Sequence, residues 1–220
     1  GLFINRPAKD GVGLFGETSH GAVVKNLKMI NVDVTGRDYV GAASGGWGGY
    51  VSLVDSTLIN VHVSGSVKGR QYVGGLIGTN STIRQSSSAA NVNGGDAGGL
   101  AGMLTRYGNV IEQSYATGEI TGLVTGGLIG HNNYGRIINS YSLAQVKGTG
   151  ANNGGVIGQG YHSNSVLTNV FAAGVVESGG GLIGVNHNGG TDYEVSSYWD
   201  KEATGKTTSA NSDPSYGKTP

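Results

Sequence analysis

A five-residue phrase, Gly-Gly-Leu-Ile-Gly or a near variant, returns along almost the whole of this 220-residue chain. It stands at 74–78, 98–102 (with Ala101), 126–130, 154–158 (with Val156) and 180–184, and in weaker form at 12–16 and 41–45. The second positions of the seven copies, residues 13, 42, 75, 99, 127, 155 and 181, lie 29, 33, 24, 28, 28 and 26 apart. A period of this size means stacked units, each burying its apolar face against the next. The 43 glycines would ruin a helical bundle, where each costs about 1 kcal/mol against alanine. At the corners of a coil they are useful, because positive φ or close backbone approach both call for a missing Cβ.

A second column follows each phrase: Asn31, Asn60, Gln85, Gln113, Asn139 and Asn169, with Ser196 in the seventh unit. Carboxamides carry both donors and an acceptor, so stacked one rung apart they can hydrogen-bond as a ladder, as a parallel stack with rungs about 4.8 Å apart would require. Around that column the pattern has period two, with Ile30, Val32 and Val34 on one parity and Ile59, Val61 and Val63 on another, which predicts strands. Later units carry Ser86, Ser140, Ala144 and Val146 on the same parity, as a narrow interior demands. Leu76, Leu100, Leu128 and Leu182 form an expected apolar row. A flexible linker would not keep leucine and amide columns in phase, and neither a P-loop nor a Rossmann fingerprint has its required context here.

The expected fold is therefore all-β, a parallel β-solenoid of about seven coils, right-handed because strand crossovers strongly prefer that hand. The repeats are expected over 1–199, with a cap or linker over 200–220, where the apolar period stops. Trp199 beside Tyr198 supplies the area to cover the last rung. Leu2 to Asn5 read as the tail of a preceding unit, with Asn5 in the amide column, so continuity with an upstream domain of the same chain is expected. Fourteen basic and fourteen acidic residues give a net charge of zero, which offers a nucleic acid no counterion-release binding. No apolar run is long enough to insert in a membrane, and the absence of cysteine removes disulfides and thiolate metal sites.

The Gly-Leu-Ile-Gly phrase, the strands opening Gln113-Ser114-Tyr115 and Asn139-Ser140-Tyr141, and the ending Ser197-Tyr198-Trp199-Asp200 before Thr204-Gly205-Lys206-Thr207-Thr208-Ser209 resemble the GLUG-motif repeat family. The similarity covers nearly the whole chain. It implies an extracellular or bacterial cell-surface location and a structural or adhesive module, as in large surface adhesins and the non-catalytic parts of some immunoglobulin A peptidases. Ala42-Ala43-Ser44 departs from the pattern where Gly-Leu-Ile is expected.

For chemistry, the sequence offers little. Asp33, Asp38, Asp55, Glu112, Glu119, Asp192, Glu194 and Asp200 occupy different phases of the repeat, so no carboxylate pair for a polysaccharide lyase, hydrolase or epimerase can be assembled from spacing, although such an enzyme on this scaffold is the alternative reading. His20, His62, His131, His162 and His187 lack metal-ligand spacing and read as solvated loop residues. No catalytic residue and no metal or cofactor site is expected. Two places beyond the amide column the chain repeats Asp33, His62, Ser87, Tyr115, Tyr141, Phe171 and Tyr198. The aromatic members Tyr115, Tyr141, Phe171 and Tyr198 are the candidate surface-binding residues, a row that could meet a glycan or a host-surface protein unless a loop of the same coil covers it. Threonines fall out of phase, which excludes an ice-binding face.

Overall fold

The computed structural model describes residues 1–18, 21–46, 56–161, 166–187, 193–210 and 216–220. It is a parallel β-solenoid of about six turns, one fewer than the seven copies of the phrase. Each turn runs through three legs. One leg belongs to a five-stranded parallel sheet of Asp38–Gly41, Gln71–Gly74, Asp96–Gly98, Val124–Gly126 and Asn153–Gly154. The chain then reverses through the glycine phrase into a second five-stranded sheet, Ile77–Thr79, Ala101–Leu104, Ile129–Asn132, Ile157–Gly160 and Ile183–Asn186. The third leg lies in a sixteen-stranded sheet, spanned by single strands in the early turns (Val23–Thr35, Ser56–Lys68) and divided later, first into two (Ser81–Arg84 with Ser87–Asn93) and then into three (Val110–Glu112, Tyr115–Ala116 and Glu119–Gly122).

Steric exclusion explains the phrase. A Cβ built on the first glycine would sit 2.1 Å from the carbonyl oxygen three residues on at Gly74 and 1.8 Å at Gly126, so only glycine allows the reversal. The second glycine abuts the next turn: a Cβ on Gly127 would lie 2.0 Å from the Gly155 carbonyl oxygen and 2.1 Å from Ser142 Oγ. The fifth glycine places the two small sheets backbone to backbone, with a Cβ on Gly102 only 2.3 Å from the Tyr72 carbonyl carbon. None of these glycines has positive φ, so of the two uses expected for them, close approach is the operative one. Leu76, Leu100, Leu128 and Leu182 between them are fully buried, as are the isoleucines that follow in most turns, whereas Leu14 of the first, weaker copy is exposed. Where Ala42-Ala43-Ser44 replaces Gly-Leu-Ile, the turn persists, with the Ala43 N–H donating to Leu76 O and Ser44 bridged to Phe15 and Ile77.

Positive φ is taken instead by the amide column. Asn60, Gln85, Gln113, Asn139, Asn169 and Ser196 lie at φ 49 to 55°, the left-handed region that asparagine tolerates better than most residues. They form the corner between the two halves of the long leg, and that corner reverses the strand alternation. Leu58 points inward before it and Val61 and Val63 after it, all buried, while Ile59 is only half-buried. Ile30 is 57% exposed for the same reason, standing before Asn31 at φ 53°. The single parity expected for Ile30 and Val32, and for Ile59 and Val61, is therefore corrected.

Register corrects the column's first member. Lys25 pairs with Ile59 and Leu27 with Val61, which sets Asn26 opposite Asn60, and the Asn60 amide donates to Asn26 Oδ1 at 2.8 Å. Asn31 lies five residues later in a register shift between Met29 and Val32. Asn5 pairs with Thr35 and likewise misses the amide column. The strand Phe3–Asn5 does lie parallel on Val23–Thr35, as the tail of a coil would.

At the far end, the inward column Ser88, Ala116, Ser142, Ala172 terminates in Trp199, fully buried with its indole N–H on Lys206 O at 2.8 Å. A Cβ on Gly181 would meet this indole at 2.3 Å, so the ring fills the space a further glycine turn would take. The chain beyond it stays hydrogen-bonded to the last coil: a single-turn helix Lys201–Thr204, Thr208 O accepting from Gly181 N, Ser209 Oγ from Ile183 N at 2.8 Å, and Gly217 paired with Trp199.

Candidate binding surface

The amide ladder is outward and interrupted. Gln85 donates to Gln113 Oε1 at 3.4 Å and Asn169 to Asn139 Oδ1 at 2.9 Å, and all of these residues are exposed. A more regular polar ladder lies one residue further on, buried. The Ser86, Ser114, Ser140 and Ser197 hydroxyls each donate to the carbonyl two residues back, at 2.6 to 3.2 Å. Each accepts an N–H from the preceding turn: Val61 to Ser86, Ser86 to Ser114, Ser114 to Ser140 and Val170 to Ser197, at 3.0 to 3.1 Å. Serine satisfies both partners at a corner where the backbone alone leaves them unpaired. The repeated Gln/Asn-Ser dipeptide was the sequence signal for it.

The outward aromatic row is assembled as expected from Tyr115 onward. Register places His62, Ser87, Tyr115, Tyr141, Phe171 and Tyr198 on successive turns. Asp33 does not belong to it; Lys28 pairs with His62, and Asp33 with Ser66. The Tyr115 and Tyr141 rings stack with centroids 4.9 Å apart and planes 1° apart. Tyr141, Phe171 and Tyr198 are 38, 40 and 36% exposed, and Tyr198 is flanked by Tyr216, edge-on at 6.3 Å, and Lys218, 5.1 Å above the ring. Two residues further along the strands lie Thr117, Leu143 and Ala173, and beyond them Glu119, Gln145 and Val175. Leu143 and Val175 are both about half exposed. At the N-terminal end the row turns polar, with His62 Nδ1 2.8 Å from Ser87 Oγ and Nε2 2.9 Å from Asn60 Oδ1.

Three further ladders escaped the sequence reading. Arg37 grips Asp10 through two nitrogens, Nε at 2.6 Å, and Arg70 grips Asp38 in the same forked manner one turn on. The Arg37 guanidinium holds the Asp10 carboxyl below its usual range. The repeated Gly-Arg-Asp/Gln-Tyr-Val-Gly segment signalled this, as it did the stacking of Tyr39 on Tyr72 at 5.2 Å. On another edge His131, Tyr161 and His187 stack at 4.9 and 4.7 Å. His131 Nε2 donates to Asn133 Oδ1 at 2.9 Å, and its Nδ1 lies 3.9 Å from Asp96. Burial pushes the Asp96 carboxyl up to about 6 and holds His131 below its ordinary value. His20, His162, Asp55 and Asp192 lie outside the described residues. Among the described residues no group of three or more His, Cys, Asp or Glu side chains is placed to hold a metal ion.

No family model matches the chain. A stretch of 93 residues, 41% of the chain, is 42% identical to Halomucin from Haloquadratum walsbyi. The match spans 1% of that protein's length.

Proposed function

We propose that this chain is a stiff, repetitive segment of a cell-surface or secreted protein of the adhesive kind, which presents the Tyr115, Tyr141, Phe171 and Tyr198 row to a glycan or host surface. The fold and the partial match to Halomucin are consistent with a structural or surface role, and no described helix is long and apolar enough to cross a membrane. The observation that carries the reading is the exposed aromatic row fixed on a parallel ladder. Single exposed apolar side chains are ordinary, but contiguous ones on a rigid sheet mark contact surfaces.

Glycan-array binding compared between the native chain and Tyr115→Ala/Tyr141→Ala tests this. The expected result is lost binding with a melting temperature within a few degrees of native. Unchanged binding with a lowered melting temperature would make the row a packing feature only.

A further inference from the structure

The aromatic row and its apolar neighbours form a strip whose shape and chemistry select a particular ligand geometry. Four rungs from Tyr115 to Tyr198, three spacings of about 4.8 Å, by five residues of strand, four steps of about 3.3 Å, give a strip roughly 14 Å long and 13 Å wide, some 190 Å². A stable contact with a second copy needs about 800 Å² per partner, about four times what the strip offers. An extended peptide would lay backbone donors and acceptors against a sheet face whose own backbone groups are already paired along the ladder. A chain whose polar groups stay in water avoids that cost.

We propose that the strip binds one linear, uncharged, extended β-linked glycan laid parallel to the solenoid axis, about one sugar residue to a rung; this rests on the glycan reading above and specifies its ligand. Stacking of a sugar between the tyrosines is excluded by distance. Two van der Waals contacts of about 3.5 to 4.0 Å would need rings about 7 to 8 Å apart, and Tyr115 and Tyr141 are 4.9 Å apart. The ligand therefore meets ring edges and hydroxyl groups. With parallel rings the two hydroxyls stand too far apart to satisfy each other, since O–H···O bonds close at about 3.0 Å or less. Among the described residues none bonds to either. A ligand offering a hydroxyl once per rung satisfies both, and an extended β-linked chain repeats at close to the rung spacing. Leu143 and Val175 lie alongside to receive the C–H surface of the sugar rings. The charged pair on the strip's margin, Lys147 and Glu119 at 2.8 Å, neutralises itself, and Lys218 at the last rung is held over the Tyr198 ring, so the strip gives a charged polymer no row of counterparts.

Calorimetric titration of the full chain with β-1,4-glucan, β-1,3-glucan and chitin oligomers of increasing length, and with α-1,4-glucan oligomers for comparison, tests the inference. Affinity for at least one β-linked series should rise several-fold with each added residue up to about four, the number of aromatic rungs, and then level off. Tyr141→Phe should weaken binding about fivefold, the loss of one hydrogen bond of about 1 kcal/mol. Leu143→Lys should abolish binding without altering the circular dichroism, and Tyr107→Ala, an exposed tyrosine outside the strip, should change nothing. A disaccharide that binds as tightly as a hexamer, or α-linked oligomers that bind equally well, would overturn the axial register while leaving glycan binding intact. No binding of any oligomer by the folded native chain, with binding instead to a protein surface, would overturn this inference and the glycan reading together.

Discussion

Replacing Gly127 by alanine puts the steric account of the glycine phrase at risk most directly. The new methyl carbon would stand 2.0 Å from Gly155 O and 2.1 Å from Ser142 Oγ, where real Cβ contacts essentially never fall below 3.0 Å and nine in ten lie beyond 3.4 Å. Relief requires the two turns to separate by more than 1 Å. That would stretch the bonds from Gly127 N to Gly154 O, Leu128 N to Val156 O and Ile129 N to Val156 O, now 3.1, 2.9 and 3.0 Å. Three backbone bonds at about 1 kcal/mol each, added to overpacking of about 1 to 3 kcal/mol, give an expected loss of about 4 to 6 kcal/mol. Ser142→Gly on top of it should restore little, because the carbonyl clash remains. Gly21→Ala is the control: it sits at φ 78° with nothing within 4 Å, so only the left-handed backbone penalises it, by about 1 to 2 kcal/mol. Urea denaturation of the three variants decides. A Gly127→Ala chain within 1 kcal/mol of native, or less destabilised than Gly21→Ala, would refute the claim that close approach is what the phrase encodes.

The Asp96 carboxyl, raised from 3.8 to about 6 in the folded chain, contributes stability that is fully present below about pH 3.8 and is lost as pH rises through about 6. At 1.36 kcal/mol per pH unit of displacement, Asp96→Asn should gain up to about 3 kcal/mol over native above pH 7 and nothing near pH 4; a difference between the two melting curves that does not vary with pH contradicts it. His131, lowered by burial, acts in the opposite sense as pH falls, but is common to both proteins. Trp199→Ala removes a fully buried indole and should cost about 3 to 5 kcal/mol. Hydrogen exchange should show the loss concentrated at Gly181 to Ile183 and 204–210, whereas uniform loss along all turns would deny Trp199 a capping role.

The architecture was legible in the sequence because the features that set it are columns, and columns survive insertions. Phrase, leucines, serines and outward aromatics all fell in register. What the sequence hid were reversals of geometry at single residues. Asn31 looked like the first carboxamide because it stands next to Val32, as Asn60 stands next to Val61. The better ruler was the distance to the glycine that closes the leg, nine residues from Asn60 to Gly69, from Gln85 to Gly94, from Gln113 to Gly122 and from Asn139 to Gly148, and ten from Asn26 to Gly36. A carboxamide in the left-handed region also flips the alternation, which is why Ile30 came out exposed although its hydrophobicity argued for the core. The aromatic row was readable as outward-facing, but the mutual stacking that closes its ring faces depends on rung spacing and coplanarity, which no one-dimensional pattern carries. The Asp96 and His131 pair joins two turns through a corner, and its residues share no phase.

The backbone-to-backbone contact of the two small sheets bears on how such a molecule can lengthen. Since each turn meets the next through the same carbonyls, amides and absent side chains, a copied or deleted whole turn finds a neighbour it already fits, and no other site in the chain needs to change in response. The segment around Trp199 departs from that pattern, its indole standing in a column that otherwise holds Ser88, Ala116, Ser142 and Ala172. The length of such a stack can therefore change in steps of one whole turn.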